Sequence, residues 1–330
     1  MKILVTGASG FIGAPLCHQL ADADHDVVAI YRNADRLEAL KHPRITPFQA
    51  DIASPTLLRQ AIDQCDGCFH LAAIAKPWSP NPSEFKKTNI EGTRNVLAAA
   101  LDANVKRVVF TSTASVFGPA NKECPVTERS PLADQLDTDY ERSKHSCEAI
   151  VSEFRNNGLD VVNTYPSRVF GPGPDNASNS LTQIFSRFAS GRWRIIPGNG
   201  NAVGNYVFID DVVKGLHLAM LDSESNENYL LCGENLNFNQ MVVHLQEATG
   251  SRQRMIRVPA LLLDIFARSQ LAKTRLTGHP PMITPAFVKK YLKNWYVECD
   301  KAKSELGYSP NTFALGLKNT LASFAPQYAR

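Results

Sequence analysis

Short, β-branched apolar runs alternate with stretches of helical period through the first half of the chain, and no other feature restricts the fold as much. The runs fall at residues 3–6, 27–30, 45–48, 68–71, 107–112 and 161–164. Between them, helix-period stretches cover residues 12–20, 55–62, 84–101 and 140–154. A strand that returns through a helix to a neighbouring strand makes a right-handed crossover, and repeated crossovers build a parallel sheet. The strand runs are nearly continuous in apolar character, as expected when helices cover both faces of the sheet. The pattern therefore predicts an α/β fold with a doubly wound parallel sheet.

The texture changes after about residue 169. Gly171-Pro172-Gly173-Pro174 breaks the alternation, and Pro, Gly and Asn recur up to Asn205. Helical patterns then dominate, with short strand candidates at residues 206–209 and 229–231. This predicts two parts: residues 1–170 as the sheet domain and 171–330 as a smaller, mostly helical lobe. The lobe is expected to interleave with the sheet and to share strands near 206–209.

Composition excludes several classes of protein. A chain of 330 residues with 44% hydrophobic and 20% charged residues can bury a large core unaided. A net charge of +3 is too small for nucleic acid to be the main partner. Seven scattered cysteines do not make a secreted disulfide framework, and no metal site is expected from them. No run approaches the roughly 18 apolar residues of a membrane span. Met1-Lys2-Ile3-Leu4-Val5 meets a Thr-Gly turn at once, so it reads as a strand and not as a signal peptide. The expected location is cytoplasmic.

The first strand runs into Thr6-Gly7-Ala8-Ser9-Gly10-Phe11-Ile12-Gly13, between a strand and an amphipathic helix. A tight turn needs a residue that tolerates positive φ, and a pyrophosphate must approach backbone N–H groups with no Cβ in the way. The helix start then adds unpaired donors and partial positive charge. The arrangement predicts a Rossmann-type dinucleotide site. The second strand is followed by Tyr31-Arg32-Asn33, with Arg36 one turn on, where an acidic residue would often hold a ribose 2′-hydroxyl. A guanidinium suits a 2′-phosphate, so NADP is favoured, with NAD the other option. Asp51-Ile52 after the third strand offers a carboxylate to the adenine amino group, and the small residues of Leu71-Ala72-Ala73 let backbone lie along the cofactor.

Tyr140 and Lys144 stand one helical turn apart on one face. A free phenol titrates near 10, and a neighbouring ammonium is expected to lower that value toward useful acid–base range. Thr111-Ser112-Thr113 ends a strand upstream, where ligands bind beyond the carboxyl ends of a parallel sheet. A hydroxyl there can hold a substrate oxygen while Tyr140 exchanges its proton.

These residues together resemble the extended short-chain dehydrogenase/reductases, the NAD-dependent epimerase/dehydratase family, over nearly the whole chain. The likeness rests on Thr6-Gly7, Gly10 and Gly13, on Asp51-Ile52, Leu71-Ala72-Ala73, Asn89, Gly92-Thr93 and Asn95, and on Thr111-Ser112-Thr113. It continues through Tyr140 and Lys144, Phe170-Gly171-Pro172-Gly173 and Tyr206-Val207-Phe208-Ile209-Asp210-Asp211-Val212. The resemblance implies that Tyr140 is the general acid/base and that Lys144 holds the nicotinamide ribose. It implies that Thr113, or else Ser112, positions the substrate oxygen. Asn89 matches a residue supporting the site near the nicotinamide, and Pro166 and Val169 match the nicotinamide pocket. It also implies a small-molecule substrate and a homodimer.

Two departures bear on substrate. Gly204-Asn205 stands where sugar-nucleotide members often carry Arg-Asp, and Tyr165 stands where epimerases have an Asn. Both remove polar contacts that a buried diphosphate needs, although Arg187, Arg192 and Arg194 are available to compensate. Tyr31-Arg32-Asn33 and Cys232-Gly233-Glu234-Asn235-Leu236 look more like the dihydroflavonol-reductase-like branch, which favours NADP and carbonyl reduction. The expected activity is hydride transfer to a ketone or from a secondary alcohol. The alternatives are a nucleotide-sugar epimerase or dehydratase and, third, a non-catalytic NADP sensor.

Other signals are read as structural. Cys65 and Cys68 lack a second pair and are expected to pack. His70 is expected in the core or pocket wall, and His145 on another helix face. The apolar residues 259–266 are expected to form a core helix or a lid, and residues 285–295 to close the pocket.

Overall fold

The computed structural model describes residues 1–76, 78–174 and 179–324. Seven parallel strands form the main sheet: β1 (Lys2–Thr6), β2 (Asp26–Tyr31), β3 (Ile45–Gln49), β4 (Gly67–His70), β5 (Arg107–Thr111), β6 (Val161–Pro166) and β10 (Asn228–Leu231). Their spatial order is β10-β6-β5-β4-β1-β2-β3. The winding therefore reverses at β1, which pairs with β2 on one side and β4 on the other. All six strand positions read from the first half of the sequence are strands of this sheet.

Alternation along each strand feeds two cores. Ile3, Val5, Phe69, Val109 and Val162 face the helices Gly13–Asp22 and Ile209–Leu221. Leu4, Cys68, Val108, Phe110 and Val161 face the helices Pro55–Ile62, Gly92–Asp102 and Asp139–Asn156. Each fully buried Leu or Phe in these layers contributes about 1.5–3 kcal/mol. Two such layers hold the strand ends in fixed register.

The second half departs from its sequence reading in one respect. The strand placed at 206–209 spans Val203–Phe208 and is β9 of a separate three-stranded sheet, between β7 (Arg168–Phe170) and β11 (Glu234–Asn237). Ile209 instead opens a helix, with Asp210 and Asp211 in its first turn where the helix dipole favours acids. The strand that the lobe contributes to the main sheet is β10, which pairs with β6. A short parallel pair, β8 (Ile195–Pro197) and β12 (Ile256–Val258), completes the strands.

The apolar stretch at 259–266 lies in the helix Ala260–Thr277, which is not a core helix. Only Ala267 and Thr274 are buried in it, while Leu261, Leu262, Ile265 and Phe266 are exposed. No helix among the described residues is long and apolar enough to cross a membrane.

Candidate active site

One cleft opens beyond the carboxyl ends of the central strands, lined by residues that follow β1, β2, β3, β4, β5 and β6 in turn. It contains the strand-order reversal at β1, where ligands of open parallel sheets bind.

Backbone builds the β1 side of the cleft. Gly7 has φ +70°, and a Cβ there would stand 2.8 Å from Ala72 N. A Cβ at Gly13 would stand 2.1 Å from Gly7 O, so the first turn of the helix Gly13–Asp22 can close onto the loop only without a side chain. That helix has no side-chain cap at its start and no acid in its first turn. Gly13 at its start meets the cleft together with Ser9, Gly10, Phe11 and Ile12. The cradle fits a pyrophosphate. Leu71, Ala72 and Ala73 line the adjoining wall.

At the outer end, Tyr31, Arg32 and Arg36 line the cleft, both arginines exposed. Neither is ion-paired among the described residues. Asp51 lines it too, with one carboxylate oxygen accepting from Ala53 N at 2.9 Å. Ile52 is buried beside it.

The inner end carries the titratable groups. Thr138 caps the helix Asp139–Asn156 through a reciprocal box with Glu141, and this fixes Tyr140 in the first turn. Tyr140 is half-buried, with its phenol beside the Thr113 side chain. Burial pushes its pKa up, Thr113 opposes, and the nearby Glu141 and Cys147 charges add to the rise. The expectation that Lys144 makes this phenol more acidic is therefore not met. Lys144 is 3% exposed and donates to Thr111 O at 2.7 Å, with its ammonium 4.7 Å from the Phe110 ring centre. Burial lowers its pKa, against the charges of Cys147 and Glu148.

The two candidate hydroxyls divide. Ser112 donates to Glu148 Oε1 at 2.6 Å, and the other oxygen of Glu148 accepts from Asn163 and Tyr165. Ser112 is thus committed to a buried carboxylate. Thr113 is the hydroxyl beside Tyr140, and its Oγ1 accepts from Ser115 N at 3.3 Å.

Of the candidate catalytic and cofactor-binding residues read from sequence, every one lines this cleft except Asn89. Asn89 sits in a π-helical turn, Lys86–Glu91, with its amide wholly engaged. Its Oδ1 accepts from Ile74 N at 2.7 Å, and its Nδ2 donates to Ile74 O and to Ser143 Oγ at 2.8 Å. It ties the wall after β4 to the Tyr140 helix from behind. Pro166 and Val169 do line the inner end. His70 is wholly buried between Thr6 Oγ1 at 2.7 Å and Thr93 Oγ1 at 2.9 Å, and burial, helped by Lys144, lowers its pKa to about 3. Cys65 and Cys68 are free and buried.

Sequence reasoning missed Arg168 and Ser115, whereas the stretch 285–295 was expected at the pocket. Phe287, Lys290 and Tyr291 complete the cleft wall. Lys290 Nζ donates to Glu141 Oε1 at 2.6 Å and Ser115 Oγ at 2.8 Å. A charged residue at the start of β7, between Pro166 and Val169, was the available signal for Arg168.

Comparison with known proteins agrees with this geometry. A Synechocystis sp. protein that bears the name of a dihydroflavonol 4-reductase is 28% identical over 97% of this chain and 93% of its own. The 2-alkyl-3-oxoalkanoate reductase of Stenotrophomonas maltophilia is 27% identical over 98% of this chain and 100% of its own. Among solved structures, the UDP-glucose 4-epimerase of Thermotoga maritima with UDP-glucose superposes with a TM-score of 0.82 at 25% identity, covering 99% of both chains. The sequence pattern of the NAD dependent epimerase/dehydratase family matches residues 3–232, most of the chain, and with the cradle and the sheet order it shows that the protein belongs to that family.

Proposed function

We propose that the protein reduces a ketone to a secondary alcohol with NADPH, and runs the reverse oxidation with NADP, using Tyr140 as the proton donor and acceptor. Residues 1–170 hold the cofactor and residues 171–330 supply much of the substrate wall. The observation that carries the reading is that Tyr140 and Thr113 neighbour each other in the same cleft as the glycine cradle.

The cradle of Gly7 to Gly13 holds the pyrophosphate, Asp51 faces the adenine end, and Arg32 and Arg36 meet the 2′-phosphate as two cations free of carboxylate partners. Bound there, the nicotinamide supplies the hydride. Thr113 holds the carbonyl oxygen, and Tyr140 gives its proton to the oxygen as negative charge develops there. A phenol whose pKa lies above its ordinary value stays protonated through neutral pH, which is the form reduction needs. Lys144 holds the nicotinamide ribose once released from Thr111 O, and Asn89 acts as a positioning residue behind Ile74 and Ser143. Ser112 supports Glu148 and does not touch substrate.

The likeness to a UDP-glucose 4-epimerase favours a second reading, an epimerase or dehydratase on a nucleotide sugar. Against it, Arg187, Arg192 and Arg194 do not line the cleft, and Asn205 is buried in contacts with Gly233 and Asn235. Neutral ketones, 3-oxo acids and UDP- or dTDP-sugars incubated with NADPH or NADH separate the two. Consumption of NADPH with a ketone or oxo acid, faster than of NADH, is the expected result. Conversion of a nucleotide sugar without net cofactor turnover overturns it.

A further inference from the structure

Among the described residues, one cation of the cleft, Arg168, keeps a buried side-chain donor without a partner. Arg168 enters the wall at the start of β7, and its guanidinium lies 5.0 Å from the Tyr291 ring centre and 5.7 Å from that of Tyr206. Its Nη2 is buried and has no hydrogen-bond partner. Among the described residues, no carboxylate lies within ion-pair distance of it. The other cations of the cleft differ. Lys290 is paired with buried Glu141, Lys144 donates to Thr111 O, and Arg32 and Arg36 are exposed at the far end.

A half-buried guanidinium with a buried idle donor is costly unless a ligand completes it, because the donor has given up water without gaining a partner. Here the group is also held in place. Two aromatic faces flank the guanidinium, and a Cβ on Gly204 would stand 2.5 Å from its Nη1. The fold thus keeps open the space that Arg168 occupies.

We propose that Arg168 is the substrate anchor of this site, binding the carboxylate of an oxo-acid whose ketone is reduced at Thr113 and Tyr140. The proposal rests on the reductase reading. Three observations select a carboxylate. A single unpaired guanidinium matches one negative charge, whereas a diphosphate carries at least two and finds the neighbouring Lys290 already neutralised. A guanidinium fork pairs with a carboxylate through parallel hydrogen bonds. Phe287 and Tyr291 offer apolar faces beside it for an aliphatic chain. The anchor is also linked to the reaction centre. Its charge acts on Lys290, Lys290 holds Ser115, and Ser115 N donates to Thr113 Oγ1.

The test has a binding arm and a turnover arm, both on the full chain with cofactor present. In calorimetric titration with NADP bound, octanoate is expected to bind at least ten-fold tighter than its neutral isostere octanamide, with the difference lost in R168Q and partly kept in R168K. In NADPH turnover, 3-oxooctanoate is expected to exceed its methyl ester in kcat/KM by at least ten-fold. In R168Q that ratio falls to about one, through KM for the acid. Equal binding of octanoate and octanamide, or an octanoate preference that survives R168Q, overturns the anchor. Arg168-dependent octanoate binding with no ketone turned over sinks the reductase reading and leaves the anchor standing. UDP-glucose binding that R168Q weakens while octanoate does not bind overturns the carboxylate assignment.

Discussion

The two walls of the cleft are made of different material. On the β1 side, recognition comes from main chain: Gly7 and Gly13 remove side chains so that N–H groups at a helix start can close on a ligand. On the opposite functional side, recognition comes from long side chains carried by separate segments. Arg168 comes from β7, Lys290 and Tyr291 from the helix Pro285–Tyr291, and Tyr140 from the helix Asp139–Asn156. Backbone recognition is indifferent to everything but shape and fits a ligand that never changes. On the proposed function, side-chain recognition carries the chemistry and the choice of substrate.

The sharpest way to break that division is Tyr140→Phe. Removal of the proton donor is expected to cut ketone reduction by roughly 10³-fold, within the range of general acid catalysis, while NADPH affinity by fluorescence titration changes little. Retention of near wild-type turnover would sink the assignment. The same group predicts the pH profile. Its pKa is raised, so the protonated form persists through neutral pH: reduction holds flat there and declines only in strong alkali, and oxidation climbs with pH.

Next in size is the contrast between neighbouring hydroxyls. Thr113→Val is expected to cost roughly 10²-fold in kcat/KM, as loss of a group holding a developing oxyanion does. Ser112→Ala should instead cost about 1–3 kcal/mol of stability, because Glu148 loses a donor while buried, with turnover reduced only a few-fold. Urea melts and initial rates on the two variants decide; the reverse ranking would make Ser112 the substrate contact. The smallest effect on chemistry belongs to Gly13→Ala. A Cβ 2.1 Å from Gly7 O forces the turn to shift, at about 1–3 kcal/mol, and NADPH binding should weaken before any step at Tyr140 is altered. Unchanged NADPH affinity in that variant would remove the cradle from its role.

The same difference explains what could be read from the amino-acid order. The sheet strands and the glycine turn are local: period, β-branching and glycine spacing are contiguous, and each predicted strand of the first half is present. The cleft wall at Arg168 and Lys290 depends on contacts between segments more than a hundred residues apart, such as Lys290 with Glu141. Nothing near Lys290 in sequence announces that partner. One local reading was displaced by tertiary context. The Lys144 ammonium is drawn to a carbonyl of β5, so burial and not a cation governs the phenol. The amide of Asn89 is spent on Ile74 and Ser143, which puts it behind the wall it supports.

Tyr140, Lys144 and Glu148 follow one another at four-residue steps on a single helix whose start is capped and whose inner face is buried. The proposed proton donor, the cation and the counter-charge therefore ride on one rigid rod, and their mutual spacing needs no help from distant loops. Residues 168 and 285–291 sit on other segments, and they reach that rod through the pair of Lys290 with Glu141. A scaffold divided in this way can acquire a new substrate by changing a few wall residues while its reaction stays as it was.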